Sequence, residues 1–258
     1  MNKPQIVLAV AGVLLVILLF RLPRVVVENE TESEVEAHDF TVSERDAEAI
    51  SSLNNQLSSD NSSNSIIFAD SLARLYLKYG FADSAYSVVS NFMLEDSSLN
   101  ALRLSGKLLY TLYERSATAE DMAKRGIQAR QVLEKWLEKD PGNLSAKTKL
   151  AVTMVTTERP MVGIQMLREV LDEDPYYREA ILNLGLLSIR SGQYEKGIGR
   201  FSRLIRMNNQ DHEAMLFLGV CYLETSKTDS ANYWLEKIVA SEAADPALQA
   251  AAKEYLQN

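Results

Sequence analysis

Apolar positions between residues 147 and 235 recur with two periods at once. Locally they fall three and four apart, the spacing of an α-helix with one buried face. Over a longer range they repeat every 34 residues: Leu150-Ala151, Leu184-Gly185 and Leu218-Gly219, then Gly163, Gly197 and Ala231, then Leu167, Phe201 and Leu235. A small residue in one helix lets a second helix come close, and the large residue on that second helix fills the space beside it. Each period therefore predicts one helix-turn-helix unit whose apolar faces are covered only when units stack. Leu72-Ala73 with Tyr76, Ala85 and Val89 is an earlier copy. A second unit is out of register: Tyr110 lies 34 residues after Tyr76, but Ala129 lies 44 after Ala85. The excess of ten sits near Arg115 to Glu120, where lengthened helices or a longer turn are expected. Insertions of this kind map to one face of a solenoid, which makes this one a candidate contact surface.

Turn chemistry agrees with the period. Gly80 and Gly192 stand where first helices end and can take the left-handed conformation. Asn143 and Asp211 are placed to cap helices, and Pro160 to start one. Pro246 to Leu256, with Leu248, Ala252 and Leu256, reads as a helix covering the last apolar face. Strand-like alternation is hard to find. The fold class expected is all-α: a right-handed superhelical solenoid of about five helix-turn-helix units over 65–245, closed by a capping helix over 246–258.

The pattern differs upstream. Ile6 to Phe20 is fifteen residues without a charge or hydrogen-bonding side chain. A helix from Pro4 to Leu22 spans roughly 28 Å, enough for the hydrocarbon layer. It is apolar on every face, unlike a core helix, and Arg21-Leu22-Pro23-Arg24 offers no small-x-small cleavage site. Residues 1–24 are therefore expected to be one N-terminal transmembrane helix, an uncleaved anchor. Residues 25–64 form an acidic linker in which Glu28, Glu30, Glu32, Glu34 and Glu36 alternate with other residues. It ends in a short amphipathic helix over 41–57, with Ser43 as cap, Asp46 completing a box-like start, and Ile50, Leu53 and Leu57 as the stripe. That helix either caps the solenoid or lies in its groove.

Met215-x-x-Leu218-Gly219-x-x-Tyr222, followed by Ala231-x-x-x-Leu235, resembles the tetratricopeptide repeat (TPR) family. Pro141 and Pro175, 34 apart, end their units as that family's proline does. The departures are Lys147, Ile181 and Met215 at the family's first large aromatic, and Asn209 where the next proline would fall. The resemblance implies a scaffold for protein–protein interaction with no enzymatic role, whose first helices line a concave face. On that face the sequence nominates Thr148, Val152 and Val155 in unit three, Leu182, Leu186 and Ile189 in unit four, and Leu216, Val220 and Leu223 in unit five. Eight of the nine are aliphatic. Chaperone-binding members carry Lys, Arg and Asn there to clamp a terminal carboxylate. Here only Lys149, Asn183 and Arg190 are near candidates, so an acidic C-terminal peptide is rejected as ligand. An apolar groove prefers an amphipathic helix, from another protein, from a second copy by self-association, or from residues 44–57 of this chain. The competing reading is that the aliphatic row is buried between tightly wound units.

Charge narrows the field. The net charge is −8, with nine acidic and one basic residue between 28 and 48. An acidic chain without a basic stripe argues against nucleic acid. His38 and His212 are the two histidines and Cys221 the one cysteine. No cluster has metal spacing, Gly197-Ile198-Gly199 sits mid-helix rather than in a phosphate loop, and no catalytic residue, cofactor or metal is expected. Trp136 and Trp234 fall at packing positions of second helices. The reading is a membrane-anchored scaffold, placed in a bacterial inner membrane with the solenoid outside the cytoplasm and serving envelope protein assembly or maturation. The alternative is a structural subunit of a stable membrane complex with its groove permanently occupied.

Overall fold

The structure is a computed structural model, and it describes residues 42–59, 65–95, 98–157 and 159–257. The anchor expected over 1–24 and, of the linker expected over 25–64, residues 25–41 and 60–64 lie outside them. Among the described residues there is no strand, and no helix is long and apolar enough to cross a membrane. Twelve helices are described: α1 (Glu44–Ser59), α2 (Ser65–Lys78), α3 (Ala82–Glu95), α4 (Leu99–Glu114), α5 (Ala119–Lys139), α6 (Leu144–Val155), α7 (Pro160–Glu173), α8 (Arg178–Arg190), α9 (Tyr194–Met207), α10 (His212–Glu224), α11 (Thr228–Val239) and α12 (Pro246–Gln257). Five hairpins, α2–α3 to α10–α11, stand between α1 and α12.

The small residues mark the closest approaches. A Cβ built on Gly185 would lie 2.6 Å from the Phe201 ring, and one on Gly163 would lie 2.3 Å from the Ala151 carbonyl oxygen. Phe201, Leu167 and Leu235 are fully buried beside them. Burying such a side chain contributes about 1.5–3 kcal/mol, which is why a unit tolerates glycine inside its helices. Turn chemistry follows the sequence. Asn143 and Asp211 accept the backbone N–H groups of Ala146 and Ala214 at 3.0 and 3.1 Å, Pro160 opens α7, and Gly80 and Gly192 have φ of +75° and +68°. Ser226, one period after Gly192, takes the same left-handed conformation at φ 58°.

The insertion in unit two lengthens helices. Past its small residue Gly106, α4 runs three residues further than α2 does past Ala73. Ahead of Ala129, α5 starts seven residues earlier than α3 does ahead of Ala85. The result is a taller hairpin tied to both neighbours. Arg115 donates to the Leu77 carbonyl, Arg125 pairs with Asp83, Tyr113 donates to Thr156, and Arg130 donates to the Thr153 carbonyl. Trp136 packs against Gly106 in the core. Trp234 is only half-buried, with Tyr233 edge-on at 5.0 Å and Lys237 over its ring.

The ends are covered differently from one another. Ile50, Leu53 and Leu57 of α1 pack on the N-terminal core, and α2 is the described helix that α1 touches. Segment 44–57 is therefore a cap on unit one and does not lie along units three to five. Ser43 accepts from the Asp46 N–H as a cap, but the Asp46 carboxylate turns outward to Lys78 at 2.6 Å and to the Tyr79 hydroxyl at 2.6 Å, so no reciprocal box forms. At the other end α12 packs on α10 and α11 through Ala252, Leu248 and Leu256. The apolar interior falls into three clusters. A large one runs from α1 to α6 and another from α8 to α12. Between them lie five buried residues, Ala151, Leu167, Val170, Ala180 and Leu184.

Candidate functional site

Successive first helices touch one another along the whole array (α2–α4–α6–α8–α10–α12), whereas successive second helices do not. The first helices are thus the crowded inner layer, and their faces turned from the second helices form a common strip. The register of the strip follows from the small residue. That residue faces its own hairpin partner, and the next one is turned about 100° away. In the five units this next residue is Arg74, Lys107, Val152, Leu186 and Val220. Arg74 and Lys107 are exposed, and the three aliphatics are half-buried.

The nine residues nominated from sequence separate into three rows. Val152, Leu186 and Val220 form the open row, all half-buried, with Leu186 packing in part against the C-terminal core. Val155, Ile189 and Leu223 are half-buried; the Val155 methyl points to α7, where it would meet a Cβ on Gly163 at 2.8 Å, and Ile189 and Leu223 pack against the C-terminal core. Thr148, Leu182 and Leu216 are buried at 1%, 9% and 7% exposure and line no groove. They precede the small residue by three positions, which turns them about 60° from the hairpin partner and into the seam between consecutive first helices. The aliphatic row is therefore core in this third of its length. The neighbouring positions that do reach the strip are more polar: Ser145, Lys149, Glu179, Asn183 and Glu213, all half-buried.

These polar groups are connected. Lys149 donates to Ser145 at 3.0 Å, pairs with Glu179 at 3.3 Å, and sits 5.3 Å from the centre of the Tyr110 ring. The Tyr177 hydroxyl donates to Glu179 at 3.4 Å. Loss of hydration pushes the Glu114 carboxyl above the usual carboxylate range. Its hydrogen bond with Tyr110 and the charge of Lys149 oppose the rise, and Glu179 and Glu213 add to it. Glu114 on α4 thus feels Glu179 on α8 and Glu213 on α10 across the strip. At the start of α10, Arg178 grips Asp211 through two bonds of 2.8 Å and reaches Glu213 at 2.7 Å. Burial alone would raise the Asp211 carboxyl, but Arg178 and the Ala214 N–H hold it below its ordinary value.

Between α2 and α4 the strip opens into a cleft of about 530 Å³. Arg74, Lys78, Lys107 and Arg115 line it with one acid, Asp70, over an apolar floor of Leu77, Leu104 and Leu108. Arg74 is tied to Asp70 at 2.9 Å and Lys78 to Asp46, while the Lys107 ammonium has no carboxylate partner among the described residues. Reading outward from the regular units missed this cleft. The signal was present as a cation directly after each of the small residues Ala73 and Gly106.

Among the described residues, no group of three His, Cys, Asp or Glu side chains could hold a metal ion. Cys221 is buried, burial pushes its thiol up to about 11, and its sulfur fills the space over Gly197.

Residues 188–254, from α8 into α12, match the tetratricopeptide repeat family model. A tetratricopeptide repeat protein from Parabacteroides merdae has a crystal structure of the same fold, with TM-score 0.59 and 16% identity over 82% of this chain and 80% of that one. TTC0263, a thermophilic TPR protein of Thermus thermophilus, superimposes with TM-score 0.58 and 16% identity over 75% of this chain and all of that one. At this identity the likeness is one of fold. No curated protein matches the sequence.

Proposed function

We propose that this chain, which carries tetratricopeptide repeats, is a membrane-anchored scaffold that receives an amphipathic helix of a partner protein along the inner strip of its first helices. The TPR fold suggests a role in protein–protein interaction. The single observation that carries the finer reading is the open row Val152, Leu186 and Val220: aliphatic side chains left half-exposed on consecutive first helices, in line, with polar groups on their flank. An amphipathic helix matches such a strip with an apolar stripe and a polar border. Anchoring is supported by the uninterrupted apolar run Ile6 to Phe20. With that run in a bacterial inner membrane and the solenoid outside the cytoplasm, the strip serves proteins of the envelope during assembly or maturation.

The test is site-specific photocrosslinking in intact membranes. A photoreactive residue at Val152, Leu186 or Val220 is expected to capture one protein in common, whereas the same residue at the exposed Lys237 of α11 captures none. Equal capture from both surfaces would overturn the reading. For the anchor, the full chain should stay in the membrane through carbonate extraction, and added protease should digest the repeats in spheroplasts. Release by carbonate, or protection until lysis, reverses the corresponding assignment.

A further inference from the structure

The five residues that follow the small position are not alike. They run cation, cation, aliphatic, aliphatic, aliphatic from unit one to unit five. The cations do not stand alone: Lys78 and Arg115 join Arg74 and Lys107 around the 530 Å³ cleft, four cations against two carboxylates, Asp70 paired with Arg74 and Asp46 with Lys78. The whole chain has net charge −8, so this concentration of positive charge runs against its background. Beyond the cleft the sign reverses. Glu114, Glu179 and Glu213 border the aliphatic part of the strip, three carboxylates against two cations, Lys149 paired with Glu179 and Arg178 with Glu213. The positive charge lies in units one and two, outside the three units whose residues argue against a clamp for a terminal carboxylate.

We propose that the strip sorts its ligand end from end by charge: the acidic half of a bound amphipathic helix lies in the cleft over Arg74 and Lys107, its apolar stripe covers Val152, Leu186 and Val220, and its basic half meets Glu114, Glu179 and Glu213. This rests on the strip being the helix-binding surface. Packed helices stand about 8–10 Å apart, so five first helices span roughly 35–40 Å, the length of a helix of about 25 residues. A ligand of that length reaches both charge regions at once. A shorter one reaches a single region and loses the sorting. Direction is read through charges of long reach, and affinity through the aliphatics between them.

The experiment uses the full chain in lipid nanodiscs, with empty nanodiscs as the blank, and three labelled helical peptides of about 25 residues sharing one composition and one aliphatic stripe. In the first the acidic residues fill the N-terminal half and the basic residues the C-terminal half, in the second the halves are exchanged, and in the third the charges are interleaved. The first two should bind roughly tenfold more tightly than the third, the sum of a few partly exposed charge pairs. A photocrosslinker at the acidic end of either should mark residues 65–139, whichever terminus carries it. Arg74→Glu with Lys107→Glu should abolish both the advantage and the placement. Both side chains are exposed, so circular dichroism should be unchanged. Raising salt from roughly 50 to 500 mM on the unsubstituted protein should erase the advantage as well. If all three peptides bind alike, or the acidic end marks α8 to α11, the sorting is refuted while the strip stands as a helix site. If none binds above the blank, the helix-binding reading fails, and the sorting with it.

Discussion

Gly163→Ala and Gly199→Ala make the same chemical change in adjacent second helices, and the structure gives them opposite signs. Alanine is favoured over glycine in a helix interior by about 1 kcal/mol. At Gly199 an added Cβ has nothing within 4 Å. The full gain is expected there, raising Tm by about 2–4 °C for a domain of this size. At Gly163 the Cβ would lie 2.3 Å from the Ala151 carbonyl oxygen, 2.8 Å from a Val155 methyl and 3.0 Å from the Val155 nitrogen. Two of these are backbone atoms that no rotamer change can move, so α6 and α7 must part. Overpacking of this kind costs about 1–3 kcal/mol, and subtracting the helix gain leaves a net loss of about 0–2 kcal/mol. The two variants should therefore differ by about 1–3 kcal/mol. Gly185→Ala lies between them, since its obstacle is the edge of the Phe201 ring at 2.6 Å, which can slide. Urea denaturation followed by circular dichroism measures the order, and hydrogen exchange in α6 and α7 locates the damage, because stability in such arrays is held between neighbouring units. A Gly163→Ala chain as stable as Gly199→Ala would falsify the close approach of α6 to α7.

Three further outcomes follow from named contacts. Gly185→Leu should destabilise the solenoid by about 1–3 kcal/mol, whereas Leu186→Glu, one residue on, should shift it by only ~0.5 kcal/mol and still abolish helix capture; if Leu186→Glu unfolds the array as badly as Gly185→Leu, the open row is core after all. Asp211→Ala removes both a helix cap and the partner of Arg178 and should cost about 2–4 kcal/mol, with Asp211→Asn milder because its amide oxygen can still accept the Ala214 N–H; equal losses in thermal melts would show that the cap adds nothing beyond the ion pair. Asp46, Asp140 and Asp211 all have folded-state pKa values held below the ordinary one by their cationic partners. Their stabilisation is complete above the unfolded value near 3.9 and lost as pH falls through the lower folded values, so these three make unfolding free energy drop below about pH 4, while Glu114, held above its ordinary value, acts in the opposite direction at higher pH; a drop beginning at pH 6 would implicate other groups.

Much of this was written in the order of residues. Small and large positions at a fixed period announced the hairpins because a small residue opposite a large one lets the two helices of a hairpin approach and fills the space between them. Asn143, Asp211, Pro160, Gly80 and Gly192 marked helix ends by local chemistry that acts over three or four residues. The open row was harder to find. First helices such as α10, Met215-Leu216-Phe217-Leu218-Gly219-Val220-Cys221, are apolar almost all the way round, since neighbours press on them from several sides. Hydropathy therefore cannot separate the Leu216 row, buried in the seam, from the Val220 row, turned 40° further. Only the contacts between units distinguish them. The cleft was hidden for another reason: unit two breaks the period, and the register that aligns Lys107 with Val152 exists only once Gly106 is seen against Trp136. Long-range pairs such as Asp46 with Lys78 carry no local pattern at all.

The thin middle of the apolar interior gives the array a mechanical character. Two well-filled blocks are joined through five buried residues at α6 to α8, so bending strain concentrates there. Val152 and Leu186 straddle that joint. On the reading proposed above, a rigid helix laid across them would act as a splint: the loaded array would be stiffer than the empty one, and the distance between α1 and α12 would fluctuate less. Occupancy would thereby be converted into reach, and a protein held near one end of the array would feel whether the strip is full without touching the ligand.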